Sequence, residues 1–419
     1  MVEMENNQFE VKIDNSEVLE NNDNNDNTEV IQENQENLEP TIEELQEKFS
    51  NYKKSYKKAG ACVLWWFVIM NVLCTIIMGI GVAFLFANYL VKHGTASLNL
   101  SNPLELFDIL KAEGNFYIIP LLYLIGDFAS GIIAYFIARK IVYGKGFVKE
   151  EKRIRKLNKK EICIYILMAF GLWGVGAVIG NLPEFFGLAK SSQEIEMIFG
   201  GNEVFYVILA IIGGPVFEEL IFRKAFIDAT SRWGEALSVL VSSLFFGLVH
   251  GNCGQFFLAF LIGLLFGIIY IKTKNVLYTM GLHFMINTWA SVTTVTSLIG
   301  GNVARVGDLV WNIVTLVLII VGVIVLILWK KSELLRVENK NEYDGKIVLR
   351  NGMILTLLII FIGLLGFAEL SSLLSWFTIG VRQHIISLKY IVLLVPVSAF
   401  IYCIVKIFKG ISTKFPMSK

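Results

Sequence analysis

Histidine and cysteine, on which most metal sites, disulfides and thiol chemistry depend, are rare in this chain: it has four His and five Cys among 419 residues. The cysteines lie in or beside apolar runs without disulfide or metal-ligand spacing, so we interpret them as small buried hydrophobic residues and expect no redox chemistry. Cys253 follows His250 by three residues. A Cys–His nucleophile also needs a group that orients the histidine, and the sequence offers none nearby, so thiol catalysis is set aside.

Charged residues are also scarce, at 17% of the chain, whereas 55% of the residues are hydrophobic and the mean hydropathy is +0.60. This balance is far from that of a soluble domain and indicates a polytopic membrane protein. The net charge of +1 conceals a segregation, because the first fifty residues hold fifteen acidic side chains and two lysines. The rest of the chain is correspondingly basic.

Composition and hydropathy divide the chain into five predicted regions. Residues 1–40 form an acidic tail with too few apolar residues to offset the ordering entropy of folding, and we predict that it is disordered. Residues 41–58 predict an amphipathic helix along the membrane surface. We predict flanking transmembrane helices in 59–200, a core in 203–298, and C-terminal transmembrane helices in 306–410.

Windows of roughly twenty apolar residues predict an all-α transmembrane bundle of about ten spans. The predicted spans are 62–90, 116–138, 162–179, 204–226, a fifth that ends at His250, 256–271, 276–296, 309–329, 353–377 and 390–408.

Lysine and arginine crowd the stretch 53–58 and the connections 139–160 and 330–350. By the positive-inside rule, we expect a cell-membrane protein with both termini in the cytoplasm. Contact with anionic lipid accounts for these basic connections, and we expect no nucleic-acid partner.

Two adjacent carboxylates and an arginine interrupt the fourth predicted span, between Gly213 and Arg223. Each such group costs about 2.5–3.5 kcal/mol at the centre of a membrane helix, so their presence indicates pairing or a polar cavity. Glu219 and Arg223 are four residues apart and predict an ion pair on one helix face, while Glu218 points about 100° away. Pro215 should kink the helix one turn before Glu218. The carboxylate of Glu218 is therefore available for catalysis.

Two later spans each carry a histidine with a second notable residue one helical turn away. Phe246 precedes His250 by four residues, and Asn287 follows His283 by four. Residues with this spacing share a helix face, so each span presents one compact patch. The other two histidines fall in predicted loops.

Together these patches contain the parts that peptide hydrolysis needs: an activated water and donors for an oxyanion. Desolvation in the bilayer makes Glu218 a better proton acceptor, so it is the candidate general base. His250 would orient or polarise the water, and His283 and Asn287 would donate hydrogen bonds to the carbonyl oxygen. Three further residues are predicted to support the site electrostatically or by packing: Glu219, Arg223 and Phe246.

The order of these motifs resembles the CAAX protease and bacteriocin-processing family of intramembrane endopeptidases, which includes CAAX prenyl proteases and abortive-infection proteins. The resemblance covers 203–298, and any one motif alone would be weak evidence. It implies a catalytic core of four helices, a glutamate-activated water and the same allocation of residues. It also implies a peptide or membrane-protein substrate: prenylated proteins in the eukaryotic branch, and bacteriocin immunity, pheromone or leader processing among bacterial relatives. The motifs that carry it are Glu218-Glu219-x-x-x-Arg223, Phe246-x-x-x-His250 and His283-x-x-x-Asn287.

Alternatives remain open on the sequence alone. Glu218, His250 and His283 could together hold one divalent metal such as zinc, although the local His-Glu-x-x-His arrangement is absent and three helices would supply the ligands. We expect no cofactor. A non-enzymatic immunity or regulatory protein could use the same core to bind a peptide or a sensor partner. A transporter could use the pair Glu218 and Glu219 together with Asp127 and Glu369, which also lie in predicted spans.

Overall fold

The structure, a computed structural model, shows an all-helical protein. Its residues divide into two compact units, one up to Phe49 and one from Ser50 onward. No strand occurs within the described residues, which confirms the predicted all-α class. The acidic tail 1–40 and the predicted spans 353–377 and 390–408 lie outside the described part. The structure describes residues 42–94, 109–110, 117–144, 155–185, 203–250 and 253–337.

Long helices follow one another along the chain, joined in the site region by short connections. The fourth helix is a composite of alternating α-helical and π-helical segments, and a short 3-10 helix, Ser231–Trp233, follows it. The helices are α1 (Ile42–His93), α2 (Ile118–Val142), α3 (Lys159–Phe185), α4 (Glu203 to Thr230), α5 (Glu235–Leu248), α6 (Cys253–Thr273), α7 (Val276–Ile299) and α8 (Gly301–Trp329).

Five of these helices, α1, α2, α3, α6 and α8, are long and apolar enough to cross a membrane. The structure therefore agrees with a helical membrane protein, while the total of ten spans and the cytoplasmic position of both termini stay predictions. Helix α1 is continuous, so the predicted surface helix 41–58 and the first predicted span are parts of one element. Helix α5 has only 14 residues, about 21 Å at 1.5 Å per residue, which is short for a span.

Proline explains the first irregularity in α4. Pro215 has no backbone N–H, and its ring clashes with the carbonyl of the residue four positions earlier, Ile211. The chain adapts with a π-helical segment, Leu209–Gly213, directly before Pro215. A second π-helical segment, Glu219–Ile227, holds Glu219 and Arg223. The predicted disturbance near Pro215 thus takes the form of a locally widened helix.

The main apolar core lies around α3, which packs against α6 and α8. Tyr165 and Met168 of α3, Phe266 of α6, Ile286 of α7 and Val325 of α8 are all buried in it. Helices α3, α6, α7 and α8 thus share one apolar core, and α4 and α5 pack against α6. Of the cysteines described, Cys62 and Cys74 are buried as expected, but Cys163 is exposed on α3.

Glycines bring the backbones of these helices into contact. A Cβ atom at Gly176 would lie 2.5 Å from the Leu258 backbone of α6, and one at Gly171 would lie 2.5 Å from the Gly322 backbone of α8. Since real Cβ atoms do not approach backbone so closely, each position requires glycine as long as the helices keep this spacing.

We expect Gly322→Ala to lower the free energy of unfolding by about 1–3 kcal/mol, because its methyl would collide with the backbone of Leu167 and Gly171. Gly307→Ala, in the same helix, is the matched control: nothing lies within 4 Å of its Cβ position, so the substitution should leave stability unchanged or raise it slightly. Thermal unfolding in detergent measures both. An equal effect of the two substitutions would contradict the proposed α3–α8 contact.

Candidate active site

Helices α4 and α5 form an antiparallel hairpin that brings Glu218 and His250 to similar depth. Glu218 lies twelve residues before the end of α4 at Thr230, and His250 lies sixteen residues after Gly234 at the start of α5. At 1.5 Å per residue these separations are about 18 and 24 Å, a difference of roughly one helical turn. The hairpin connection between Thr230 and Glu235 therefore sets the register of the two motifs.

Glu219 and Arg223 form the predicted ion pair, and both side chains are 0% exposed. Arg223 Nε lies 3.2 Å from Glu219 Oε2. None of the guanidinium nitrogens has an aligned hydrogen bond within the described residues. The guanidinium lies 4.2 Å from the centre of the Phe246 ring instead, where a cation–π contact offsets part of the cost of burial.

His283 lies between the two glutamates. Its Nδ1 is 3.1 Å from Glu219 Oε1, and its Nε2 is 3.7 Å from Glu218 Oε2. A carboxylate can only accept, so Nδ1 carries the proton of the first contact. Because the second contact is longer than a hydrogen bond, His283 is anchored by Glu219 and directed toward Glu218.

His250 is held by a bond within its own helix turn. Its Nδ1 lies 2.7 Å from the carbonyl oxygen of Phe246. Since a carbonyl oxygen accepts and does not donate, Nδ1 must carry the proton, which leaves Nε2 as the acceptor nitrogen of the neutral ring. The spacing of four residues thus fixes the tautomer of His250.

Asn287 connects α7 to the irregular part of α4. Its Nδ2 donates to the carbonyl of Ala210, at 2.7 Å. Ala210 lies in the first π-helical segment, where the normal backbone hydrogen-bond pattern is altered. One N–H of Asn287 is used in this way, and the amide has a second one. Asn287 therefore stabilises the widened helix while it borders the site.

Phe246 packs at the centre of the site. It is 2% exposed, and its ring lies 5.2 Å from that of His250 and 5.7 Å from that of His283, edge to face in both cases. With Arg223 against its face, Phe246 contacts three polar side chains of the site. Its contacts are those of a packing residue.

All four predicted catalytic side chains, Glu218, His250, His283 and Asn287, border one cavity of about 480 Å³. Apolar walls are contributed by α1, α3 and α6 among other elements. Glu219 and Arg223 do not border this cavity and lie behind it. The structure thus brings the predicted residues together and separates the free glutamate from the paired one.

Asp127 of α2 also borders this cavity, although the sequence analysis named it only for the transporter alternative. It is 9% exposed. The available signal was an acidic residue in the middle of a predicted span, which is costly in a bilayer. Its place beside Glu218 could not be predicted, because helical spacing reports nothing about contacts between helices.

A second polar cluster connects α2, α4 and α6 outside the cavity. Asp228 accepts hydrogen bonds from Tyr270, at 2.7 Å, and from Tyr143, at 3.0 Å. The Tyr143 hydroxyl is also 3.0 Å from the Lys224 carbonyl oxygen. Burial and the Asp228 carboxylate raise the pKa of Tyr143, so its hydroxyl stays protonated and donates. This cluster fixes the end of α4 that follows the ion pair.

The metal alternative can be compared with this geometry. Within the part of the chain that is described, no group of three or more His, Cys, Asp or Glu side chains has the arrangement of a metal site. Glu218, His250 and His283 border the same cavity, but Nδ1 of each histidine is already engaged in a hydrogen bond. A metal would therefore have to bind these histidines through their Nε2 atoms.

The fold and the site define a helical membrane protein with a carboxylate and imidazole centre buried among its helices. Residues 200–289 match the family described as Type II CAAX prenyl endopeptidase Rce1-like. This match nearly coincides with the predicted core 203–298. Both this match and the relative described below agree with the resemblance to the CAAX protease and bacteriocin-processing family that the three motifs predicted.

One curated relative extends the comparison beyond the matched segment. The chain is 26% identical over 150 residues to "Putative membrane peptidase YdiL" of Bacillus subtilis (strain 168). The aligned region is 34% of this chain and 62% of that protein, so the chain covers less than two thirds of the relative's length. No solved structure matches the chain.

Loss of the positive charge of Arg223 should strongly reduce the stability of the protein. We expect Arg223→Met to lower the free energy of unfolding by about 3–5 kcal/mol, because Glu219 would lose its counter-charge in the protein interior. The double variant Arg223→Met/Glu219→Gln should recover a large part of this loss, since its glutamine carries no charge. Thermal unfolding of purified protein measures the difference.

The matched control for Arg223→Met is Arg336→Met, which breaks the exposed pair with Glu333. Exposed pairs contribute little, so this variant should unfold like the wild type. If Arg223→Met were as stable as Arg336→Met, the buried pair would not have the structural role inferred from its burial.

Proposed function

We propose that this protein is an intramembrane endopeptidase in which Glu218 activates the water that attacks a peptide carbonyl. The observation that carries the proposal is the shared cavity: Glu218, His250, His283 and Asn287 border one space although they come from three parts of the chain. The match to a family described as an endopeptidase and the likeness to a protein named as a peptidase support it. The activity and the substrate remain proposals.

In this mechanism Glu218 is the general base. Its carboxylate and His250 Nε2 are both acceptors, so together they can hold the two hydrogens of a water and direct its lone pair at the substrate. As the water oxygen bonds to the carbonyl carbon, one proton passes to Glu218. Glu218 then returns this proton to the leaving amine when the C–N bond breaks.

The negative charge on the carbonyl oxygen needs donors in the cavity. Asn287 has one N–H beyond the one it gives to Ala210. His283 is held at Nδ1 by Glu219, and a proton on its Nε2 would be shared between Glu218 and the substrate oxygen. These two residues therefore take the role of oxyanion donors. Arg223 and Glu219 keep His283 in place from behind.

The proposed substrate is a peptide or membrane protein that reaches the cavity within the bilayer. A cavity of about 480 Å³ with a largely apolar lining can accept a segment of chain. The description of the matched family names prenyl endopeptidases, and the bacterial relative is named only as a membrane peptidase. We propose a peptide substrate and do not commit to a prenyl group.

Glu218→Gln keeps the size of the side chain and removes the base. We expect it to lower the rate of peptide cleavage at least about 100-fold while the protein folds normally, because general-base catalysis contributes about 10²–10⁴-fold. Cleavage of internally quenched peptides by purified protein in lipid nanodiscs measures the rate. Glu333→Gln is the control, because Glu333 is exposed and far along the sequence from the motifs.

Normal cleavage by Glu218→Gln would contradict the proposed base. If neither the wild type nor the variant cleaves any peptide, and Glu218→Gln leaves the cellular phenotype intact, the protein is a non-enzymatic immunity or regulatory protein that uses this core for binding.

We propose further that the water is activated without a resident metal. Full activity should then survive prolonged chelation, and elemental analysis of the active protein should find less than one metal ion per chain. The support is that the described residues contain no arrangement of three metal ligands. Loss of activity on chelation with recovery on adding zinc would overturn this part and would assign Glu218, His250 and His283 as ligands.

A further inference from the structure

Asp127 is the acidic residue of the cavity that the mechanism does not use. It lies within α2, surrounded in sequence by apolar and small residues, and is 9% exposed. Ser130 donates to its backbone carbonyl, not to its carboxylate. Among the described residues its side chain has no ion pair or hydrogen bond, although it borders the cavity.

Two consecutive glycines lie between Asp127 and the catalytic glutamate. Asp127 Oδ2 is 3.7 Å from the position that a Cβ of Gly213 would occupy, and Glu218 Oε1 is 3.6 Å from the corresponding position of Gly214. Both glycines line the cavity, and neither has a side chain that would separate these carboxylates from it. The two acids therefore face neighbouring parts of one cavity.

No lysine or arginine borders this cavity within the described part of the chain. Arg223, the nearest cation along α4, is buried behind it and paired with Glu219. Glu218 at least faces His283, at 3.7 Å. Asp127 is thus a buried carboxyl group without a resident counter-charge, and a cation supplied by a ligand would stabilise its ionised form, which is costly to bury alone.

We propose that Asp127 is a specificity-determining residue that binds the basic side chain of a lysine or arginine close to the scissile bond of the peptide substrate. This inference rests on the proposed peptidase function. A cation from the ligand would neutralise Asp127 and would leave Glu218 available to the water. A peptide with an acidic side chain at the same position would be rejected, because two carboxylates already face that space.

The test uses the full-length protein in lipid nanodiscs and decapeptide pools in which one position at a time is fixed as Lys, Gln or Glu. Binding is measured on the Glu218→Gln background, where Asp127 is the remaining acid of the cavity, by retention of each pool on immobilised protein. At one position we expect the Lys pool to bind at least about tenfold tighter than the Gln pool, and the Glu pool to bind weakest.

Adding Asp127→Asn should abolish this preference and leave the Gln pool unchanged, whereas Asp127→Lys should favour the Glu pool. Ser130→Ala is the matched control: Ser130 lies one turn away on α2, is buried and does not border the cavity, so its loss should leave the preference intact.

Equal binding of the three pools to Glu218→Gln protein overturns the inference without any substitution at Asp127. An equal loss of binding for all pools in Asp127→Asn protein also overturns it, because it would mean a general structural role. An altered pH profile of cleavage with an unchanged pool preference would also overturn the inference, because that result would indicate a role of Asp127 in proton transfer. Failure of the wild type to cleave any pool counts against the peptidase function alone, since the binding preference is measured separately.

Discussion

The buried pair of Glu219 and Arg223 is the constraint on which the site depends. A guanidinium cannot lose its charge in a protein, so a fully buried arginine must have its counter-charge within the same interior. Glu219 supplies that charge with one oxygen and anchors His283 with the other. The face of the guanidinium fixes Phe246, and Phe246 in turn contacts both histidine rings. One ion pair thus determines where the imidazoles of two other helices lie.

The irregular backbone of α4 is a second feature that positions the site. An α-helix that contains Pro215 must release a hydrogen bond, and here the helix widens directly before the proline. Asn287 then reaches the Ala210 carbonyl from α7. Because this hydrogen bond fastens α7 to α4 one turn from His283, it helps to fix the distance between His283 and Glu218. The irregular segment of α4 thus provides the carbonyl group that binds α7. Such π-helical turns are frequent at functional sites.

Sequence reasoning predicted what helical spacing can report. Four-residue spacing predicted the Glu219–Arg223 pair, the contact of Phe246 with His250, and the presence of His283 and Asn287 on one side of α7. The order of the motifs predicted the match of residues 200–289 to an endopeptidase family. Sequence reasoning could not report contacts between helices. The place of Asp127 and the Ala210 partner of Asn287 follow from tertiary packing, and the exposure of Cys163 depends on which face of α3 meets its neighbours. Hydropathy also has a limit here, because α5 is too short and α4 too irregular to resemble ordinary spans.

The three carboxylates near the cavity differ mainly in what compensates their charge. Glu219 has an arginine at 3.2 Å and is fully buried, so its charge is fixed and it serves to hold other groups. Glu218 has an imidazole at 3.7 Å, and its side chain is 20% exposed, so in the proposed mechanism it is the carboxylate that exchanges a proton with the water. Asp127 has neither partner among the described residues. These acids have similar chemistry in water, so their different neighbours in the protein distinguish them. A carboxylate whose charge the protein itself neutralises is less able to bind or react with a substrate.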